Sequence, residues 1–202
     1  MRNWHIIVNG VGDSVTSNSQ RFNENLITGC LTLLDIHLEN ISITSVKSSC
    51  EDSVNLVRAN GNLSSIKIKD AMSDALDIDF SELSIEKVNI SNAGNDCIDV
   101  SAGNYRIKQA VLADCKDKAL SVGEQSNAIV SEAKIFRSNI GVAAKDSSTV
   151  EIKFAELEDV TTCLTAYRKK QEFWGSKITI RKSNCDKGKN FQQPGSLIEI
   201  LQ

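Results

Sequence analysis

The sequence predicts an all-β fold, a right-handed single-stranded parallel β-helix whose coils are about 22 residues long. Three observations carry this expectation. A pattern recurs every 22 residues, apolar and polar residues alternate inside each repeat, and the composition is rich in aliphatic side chains but holds one proline and only 5% aromatics.

The repeat is faint by identity and clear by pattern. Asp74-Ala75-Leu76-Asp77-Ile78-Asp79 aligns with Asp96-Cys97-Ile98-Asp99-Val100-Ser101 at an offset of 22. The same step reaches Lys118–Gly123, Ile140–Lys145 and Thr162–Tyr167, and one step back reaches Asp52–Val57. The third position reads Val54, Leu76, Ile98, Leu120, Val142, Leu164, and the fifth Leu56, Ile78, Val100, Val122, Ala144, Ala166. Polar residues between them give the period of two of a strand with one buried face. The second position is always small: Ser53, Ala75, Cys97, Ala119, Gly141, Cys163.

A second strand repeats alongside, with Leu63, Ile66 and Ile68 matching Ile85, Val88 and Ile90, then Ile107, Ala110 and Leu112. After Glu124 the frame slips by about one residue and recovers at Ile140, which predicts a small insertion. Leucine-rich and hexapeptide frames do not fit; a coil of three short strands stacked on its neighbours does. Cys30–Leu33 reads as one more coil, so regular coils are expected over about 30–174 of a single domain. Residues 1–28 and 175–202 leave the frame and are expected to be irregular caps, although Ile178 and Ile180 suggest a further strand.

A net charge of -3 does not give the basic footprint of a nucleic-acid binder. No apolar run approaches the roughly 18 residues of a membrane-spanning helix, and the apolar stretch after Met1 is too short for a secretory leader. No nucleic-acid or membrane partner is therefore expected. A second copy of the chain would meet this one at the helix ends or on a flat face.

Of six cysteines, Cys97 and Cys163, with Cys30, fall in the small-residue column and read as buried thiols. Cys50, Cys115 and Cys185 have no assigned place, and a disulfide among them is left open.

Chemistry would sit on the outward positions. The first column holds Asp52, Asp74 and Asp96, then Lys118; the fourth Asn55, Asp77 and Asp99; the sixth Asp79 and, further on, Lys145 and Tyr167. Neighbouring coils lie about 4.8 Å apart, so Asp77 under Asp99 and Asp74 under Asp96 are like charges at contact spacing. Protons, hydrogen-bond donors or a hard cation such as Ca²⁺ must compensate them. Asp52, Asp74 and Asp96 start a strand and also suit turns, whereas Asp77, Asp79 and Asp99 lie inside strands that disfavour aspartate. Lys145, Asp146 and Tyr167-Arg168-Lys169-Lys170 form a basic end, on which an anionic polymer would lie while a cation bridges it to the acidic coils.

These coils, over about residues 30–170, resemble the pectate-lyase-like right-handed β-helix superfamily, and in pattern the β-helical segments of uncharacterised bacterial surface proteins. The resemblance is carried by Ser73–Asp79, Asn95–Asp99, Asp117–Glu124, Ala144–Ser148 and Ala166–Lys170. It implies a carbohydrate-active protein at the cell surface, and one candidate is a Ca²⁺-assisted polysaccharide lyase acting on a uronate-containing glycan. Under that resemblance Asp77, Asp79 and Asp99 would hold Ca²⁺, Lys118 or else Lys145 would remove the C5 proton, and Asp74, Asp96, Glu124, Tyr167, Lys169 and Lys170 would contact the polysaccharide. The family's base-supporting arginine has no counterpart here. Glycoside hydrolysis by Asp77, Asp96 and Asp99 is a second chemistry of the fold; His5 and His37 do not occupy its histidine motif, and Arg106-Ile107-Lys108 echoes only its basic tripeptide. A non-catalytic glycan-binding or structural rod is the alternative to both.

Overall fold

The computed structural model describes residues 1–10, 27–185 and 188–201. Every regular element among the described residues is a strand: β1 (His5–Asn9), β2 (Gly29–Leu34), β3 (His37–Ser48), β4 (Asp52–Val57), β5 (Asn60–Ala71), β6 (Asp74–Asp79), β7 (Glu82–Ala93), β8 (Ile98–Ser101), β9 (Asn104–Cys115), β10 (Lys118–Gly123), β11 (Asn127–Lys145), β12 (Thr149–Tyr167), β13 (Lys177–Cys185), β14 (Lys189–Gln192) and β15 (Leu197–Ile200). They stack as a parallel β-solenoid. Short strands β2, β4, β6, β8 and β10 form one ladder, which continues through the second halves of β11 and β12 to β14. Long strands β1, β3, β5, β7 and β9 form the other, continuing through the first halves of β11 and β12 to β13 and β15.

The register is the one the repeat predicts. Val54 faces Leu76, Leu76 faces Ile98, Ile98 faces Leu120, Leu120 faces Val142 and Val142 faces Leu164. All six are buried, as is the fifth-position column beside them. Each long strand turns a corner within its length. In β7 the alternation breaks at Glu86 and Lys87, both exposed, and resumes with opposite phase, so the anticipated second and third strands of a coil run together as one bent strand. The slip after Glu124 is an extra residue at a corner, where Glu124 and Gln125 both take positive φ and Asn127 pairs 23 residues on from Asn104.

The other two corners are built from left-handed residues. Asp35, Arg58, Phe80, Ala102, Glu124 and Asp146 follow the short strand, and Lys47, Asp70, Asn92, Asp114, Arg137 and Asp159 close the long one, with φ between 47° and 60°. Such φ values disfavour side chains other than Asn and Asp. Contacts between successive coils hold several in place: Arg58 donates to both oxygens of Asp35 at 2.6 and 2.9 Å, Arg137 to both of Asp114 at 2.7 and 2.8 Å, and Asn92 to Asp70 at 2.8 Å.

Just past the first corner a buried serine column closes the backbone. Ser81, Ser126 and Ser176 each donate their hydroxyl to a short-strand carbonyl, those of Asp79, Gly123 and Tyr167, at 2.6–2.7 Å. Gly103 interrupts the column. A Cβ there would sit 2.4 Å from the Tyr105 hydroxyl, which bonds the equivalent carbonyl of Ser101 at 2.7 Å. The tyrosine replaces the missing serine, and its single hydroxyl hydrogen is shared with the Ile78 carbonyl at 3.1 Å.

The reading of Cys30, Cys97 and Cys163 as thiols is overturned. Three disulfides join Cys30 to Cys50, Cys97 to Cys115 and Cys163 to Cys185. Each small-column cysteine takes one of those left without a place. The separations of 20, 18 and 22 residues are about one coil, so the end of a long strand returns beside the start of the short strand where its coil began. Cα–Cα distances of 5.4–6.4 Å there suit a disulfide. The ends also carry on the solenoid rather than departing from it: β1 pairs in parallel with β3, and β13, β14 and β15 extend both ladders. Within the expected N-terminal cap, residues 11–26 lie outside the described residues.

Candidate functional site

The short-strand ladder turns its first, fourth and sixth positions outward, and on the middle coils these line a cleft of about 360 Å³. The cleft gathers eight of the residues singled out from sequence: Asp74, Asp77, Asp79, Asp99, Glu124, Lys145, Lys169 and Lys170. Asp96, Lys118 and Tyr167 do not line it. Phe80, Ser101, Gly123 and Asp146 do.

The first-position aspartates brace the backbone. Asp74 Oδ1 accepts the Asp96 N–H at 2.7 Å and the Asn95 amide at 2.8 Å; Asp96 Oδ1 accepts the Lys118 N–H at 2.9 Å. Burial pushes the carboxyls of both up to about 6, against these hydrogen bonds and, for Asp96, against the charge of Lys118. Lys118 itself is nearly enclosed, its ammonium 3.3 Å from Asp96 and paired with Asp117. Burial alone would lower its pKa, but those two carboxylates raise it above the usual lysine range. A base must shed its proton, so this lysine is poorly set to act as one.

Asp77 and Asp99 face each other in register on adjacent coils. Burial first, then the charges of Asp79, Asp52, Asp99 and Asp74, push the Asp77 carboxyl up to about 9, so it keeps its proton at neutral pH. Asn55 donates to it from the preceding coil at 3.1 Å. Asp99 is balanced differently: Lys145, two coils further along, reaches back until its ammonium is 3.5 Å from Asp99 Oδ1. Gly123 makes this reach possible. It lies on the coil between theirs, one step before Lys145 in the sixth column, and a Cβ there would stand 3.2 Å from Lys145 Cε.

The basic rim is held by a buried aspartate. Asp146 Oδ1 accepts the N–H groups of Lys169 and Lys170 at 2.6 and 2.8 Å, which folds that turn over the cleft, and the Lys170 ammonium pairs with Glu124 across the coils. Phe80 stands at the opposite rim, 59% exposed at a left-handed corner. A bulky apolar residue at a solvent-facing corner was the one signal in the sequence that could have marked it.

Two of the three expected calcium ligands have protein neighbours in this arrangement, Asp77 accepting from Asn55 and Asp99 standing beside Lys145. Ca²⁺ requires six to eight oxygens. Among the described residues no three Asp, Glu, His or Cys side chains converge at a spacing that would hold an ion. The Lys145 ammonium already supplies the positive charge beside Asp99, and Asp77 retains a proton.

A pH dependence follows. The folded pKa of Asp77 lies above its unfolded value near 3.9, so between those limits the folded state binds more protons and stability falls as pH rises. Asp74 and Asp96 add to the slope up to about pH 6. Asp77→Asn keeps an acceptor for Asn55 and removes the cost, so it should raise the melting temperature at pH 8 and leave it nearly unchanged at pH 4. Equal effects at both pH values would contradict the protonated carboxyl.

No protein-family model matches the chain, and comparison with curated proteins and with solved structures finds no match either.

Proposed function

We propose that the chain is a glycan-binding β-solenoid whose cleft seats a sugar directly, without a bridging metal. The observation that carries the reading is the exposed Phe80 ring beside a floor of carboxylates and an ammonium. Sugar rings have an apolar face that stacks on an aromatic side chain and a rim of hydroxyls that donate to carboxylates. Asp79 and Asp99 would accept from those hydroxyls, and Lys169 and Lys170 at the far rim would meet an acidic substituent of the same polymer. The volume suits one or two sugar units. The likeness of the coils to the pectate-lyase-like superfamily supports the same substrate class. Three disulfides fit an oxidising compartment such as the cell surface.

A catalytic reading is favoured by one further observation. Asp77 is held protonated with the Asp99 carboxyl in register on the adjacent coil, and a carboxyl that keeps its proton at neutral pH beside a second carboxyl is the acid that a hydrolase needs. Glycoside hydrolysis is therefore the second reading. A lyase mechanism with Lys118 as base has less support, because that lysine is locked as an ammonium.

A glycan array probed with the purified chain tests the proposal. Binding to a defined polysaccharide should survive EDTA and weaken about five- to tenfold in Phe80→Ala, the loss of about 1–1.4 kcal/mol of stacking. Binding that Phe80→Ala leaves intact would move the site elsewhere. Cleavage products abolished by Asp77→Asn and by Asp99→Asn would establish the hydrolase.

A further inference from the structure

Beyond its bend, each long strand presents a second outward face, away from the cleft. Down one column of that face the residues run Lys67, Asn89, Val111, Lys134 and Glu156, in register on β5, β7, β9, β11 and β12. Down the neighbouring column they run Lys69, Ser91, Ala113, Phe136 and Glu158. A third pairs Lys87 with Gln109 and Gln109 with Glu132. The face is basic on β5 and β7, neutral on β9 and acidic on β12, while β11 carries Glu132 beside Lys134. A shallow groove of about 380 Å³ follows its basic and central part. Lys67, Lys69 and Lys87 make no ion pair with any described residue. Lys134 holds Glu132 and Glu156 at 3.9 and 3.3 Å, which keeps the acidic end in a fixed row.

We infer that this face docks a second copy of the chain in antiparallel orientation. Charge order is the argument. Strand β9 lies two coils from β5 in one direction and two coils from β12 in the other. A two-fold axis along β9, in the plane of the face, therefore exchanges β5 with β12 and β7 with β11 while setting each column against itself. Lys67 then meets Glu156 of the second copy, Lys69 meets Glu158 and Lys87 meets Glu132, each contact occurring twice. On the axis lie Val111, 38% exposed, and Ala113, which bury against their own copies. Such an interface is isologous and closes at two copies. An anionic polymer would fit only the basic end and be repelled by the other, so a partner with the same gradient reversed is the better match.

The area sets the strength. Five coils at about 4.8 Å and five residues at about 3.3 Å span roughly 400 Å² per copy, about half the area per partner of a standard interface. Weak association, steered by charge and screened by salt, is expected.

Sedimentation equilibrium of the full chain over a concentration series should show the mass rising from 22.1 kDa toward twice that value at low salt, and the rise disappearing at about 0.5 M salt. Lys69→Glu and Glu158→Lys should each weaken the dimer at least tenfold, because each places like charges together at two points. An equimolar mixture of the two variants should restore it, since both contacts in the mixed dimer again join opposite charges. Circular dichroism melts confirm that both variants fold. A constant 22.1 kDa, a dimer that ignores either substitution, or a mixture that stays monomeric overturns the inference. So does a monomer that binds an anionic polymer such as heparin through Lys69.

Discussion

Ile98→Asp should abolish the cooperative thermal transition of the chain. Ile98 is fully buried and stands in register between Leu76 and Leu120, in the middle of an aliphatic column six coils long. Removing the side chain alone would cost about 2–5 kcal/mol. A carboxylate in its place has no partner among Leu76, Leu120 and their neighbours, so it must bury a charge or take up a proton at a cost of several kcal/mol more. The sum is comparable with the whole stability of an ordinary domain, about 5–15 kcal/mol. Position adds to the effect. A solenoid is stabilised by nearest-neighbour terms, and a lesion in a central coil uncouples the coils on both sides. Ile98→Val, which trims one methyl group and should cost about 1 kcal/mol, is the control and should melt cooperatively. A folded Ile98→Asp protein melting within a few degrees of the parent would overturn the inward assignment of the column.

The second large effect comes from the disulfides. Cys97 and Cys115 are both buried, and their bond closes a loop of 18 residues. Chain-entropy arguments give about 3 kcal/mol for a loop of this size. In a chain of 202 residues that corresponds to roughly 6–12 °C in melting temperature for Cys97→Ala/Cys115→Ala. A reductant acting on all three bonds should lower the transition further. Thiol titration in denaturant gives an independent reading: without reductant no thiol should react, and six reactive thiols would show that the bonds do not form.

The core was written plainly in the sequence, because a parallel stack repeats each buried position at a fixed interval and the aliphatic columns keep that interval for six coils. Contacts between different columns were not. The disulfides join the start of a short strand to the end of the long strand that follows, and that proximity depends on how sharply the corners turn. Val142 and Leu164 could be placed by counting; Cys115 could not. The same distinction runs through the cleft. Column order puts Asp77 beside Asp99, but nothing in the pattern shows that Gly123 leaves room for Lys145 to reach Asp99, and by column order Lys118 is the nearer amine. The first-position aspartates turned out to serve the backbone: Asp74 and Asp96 cap the N–H groups of the following coil. Phe80 stands outside every column, because apolar residues at corners follow no period.

The disulfide placement also bears on mechanics. Cys30, Cys97 and Cys163 recur at about every third coil. A rod of this kind pulled from its two ends bears load in series, each strand peeling from the next like tape from a roll. Each bond withholds the segment between its cysteines from that unspooling, 18–22 residues or about 60–80 Å of contour. Under tension the chain would lengthen only through the coils between the bonds, and the three bonded coils would remain as fixed knots along a slackened thread.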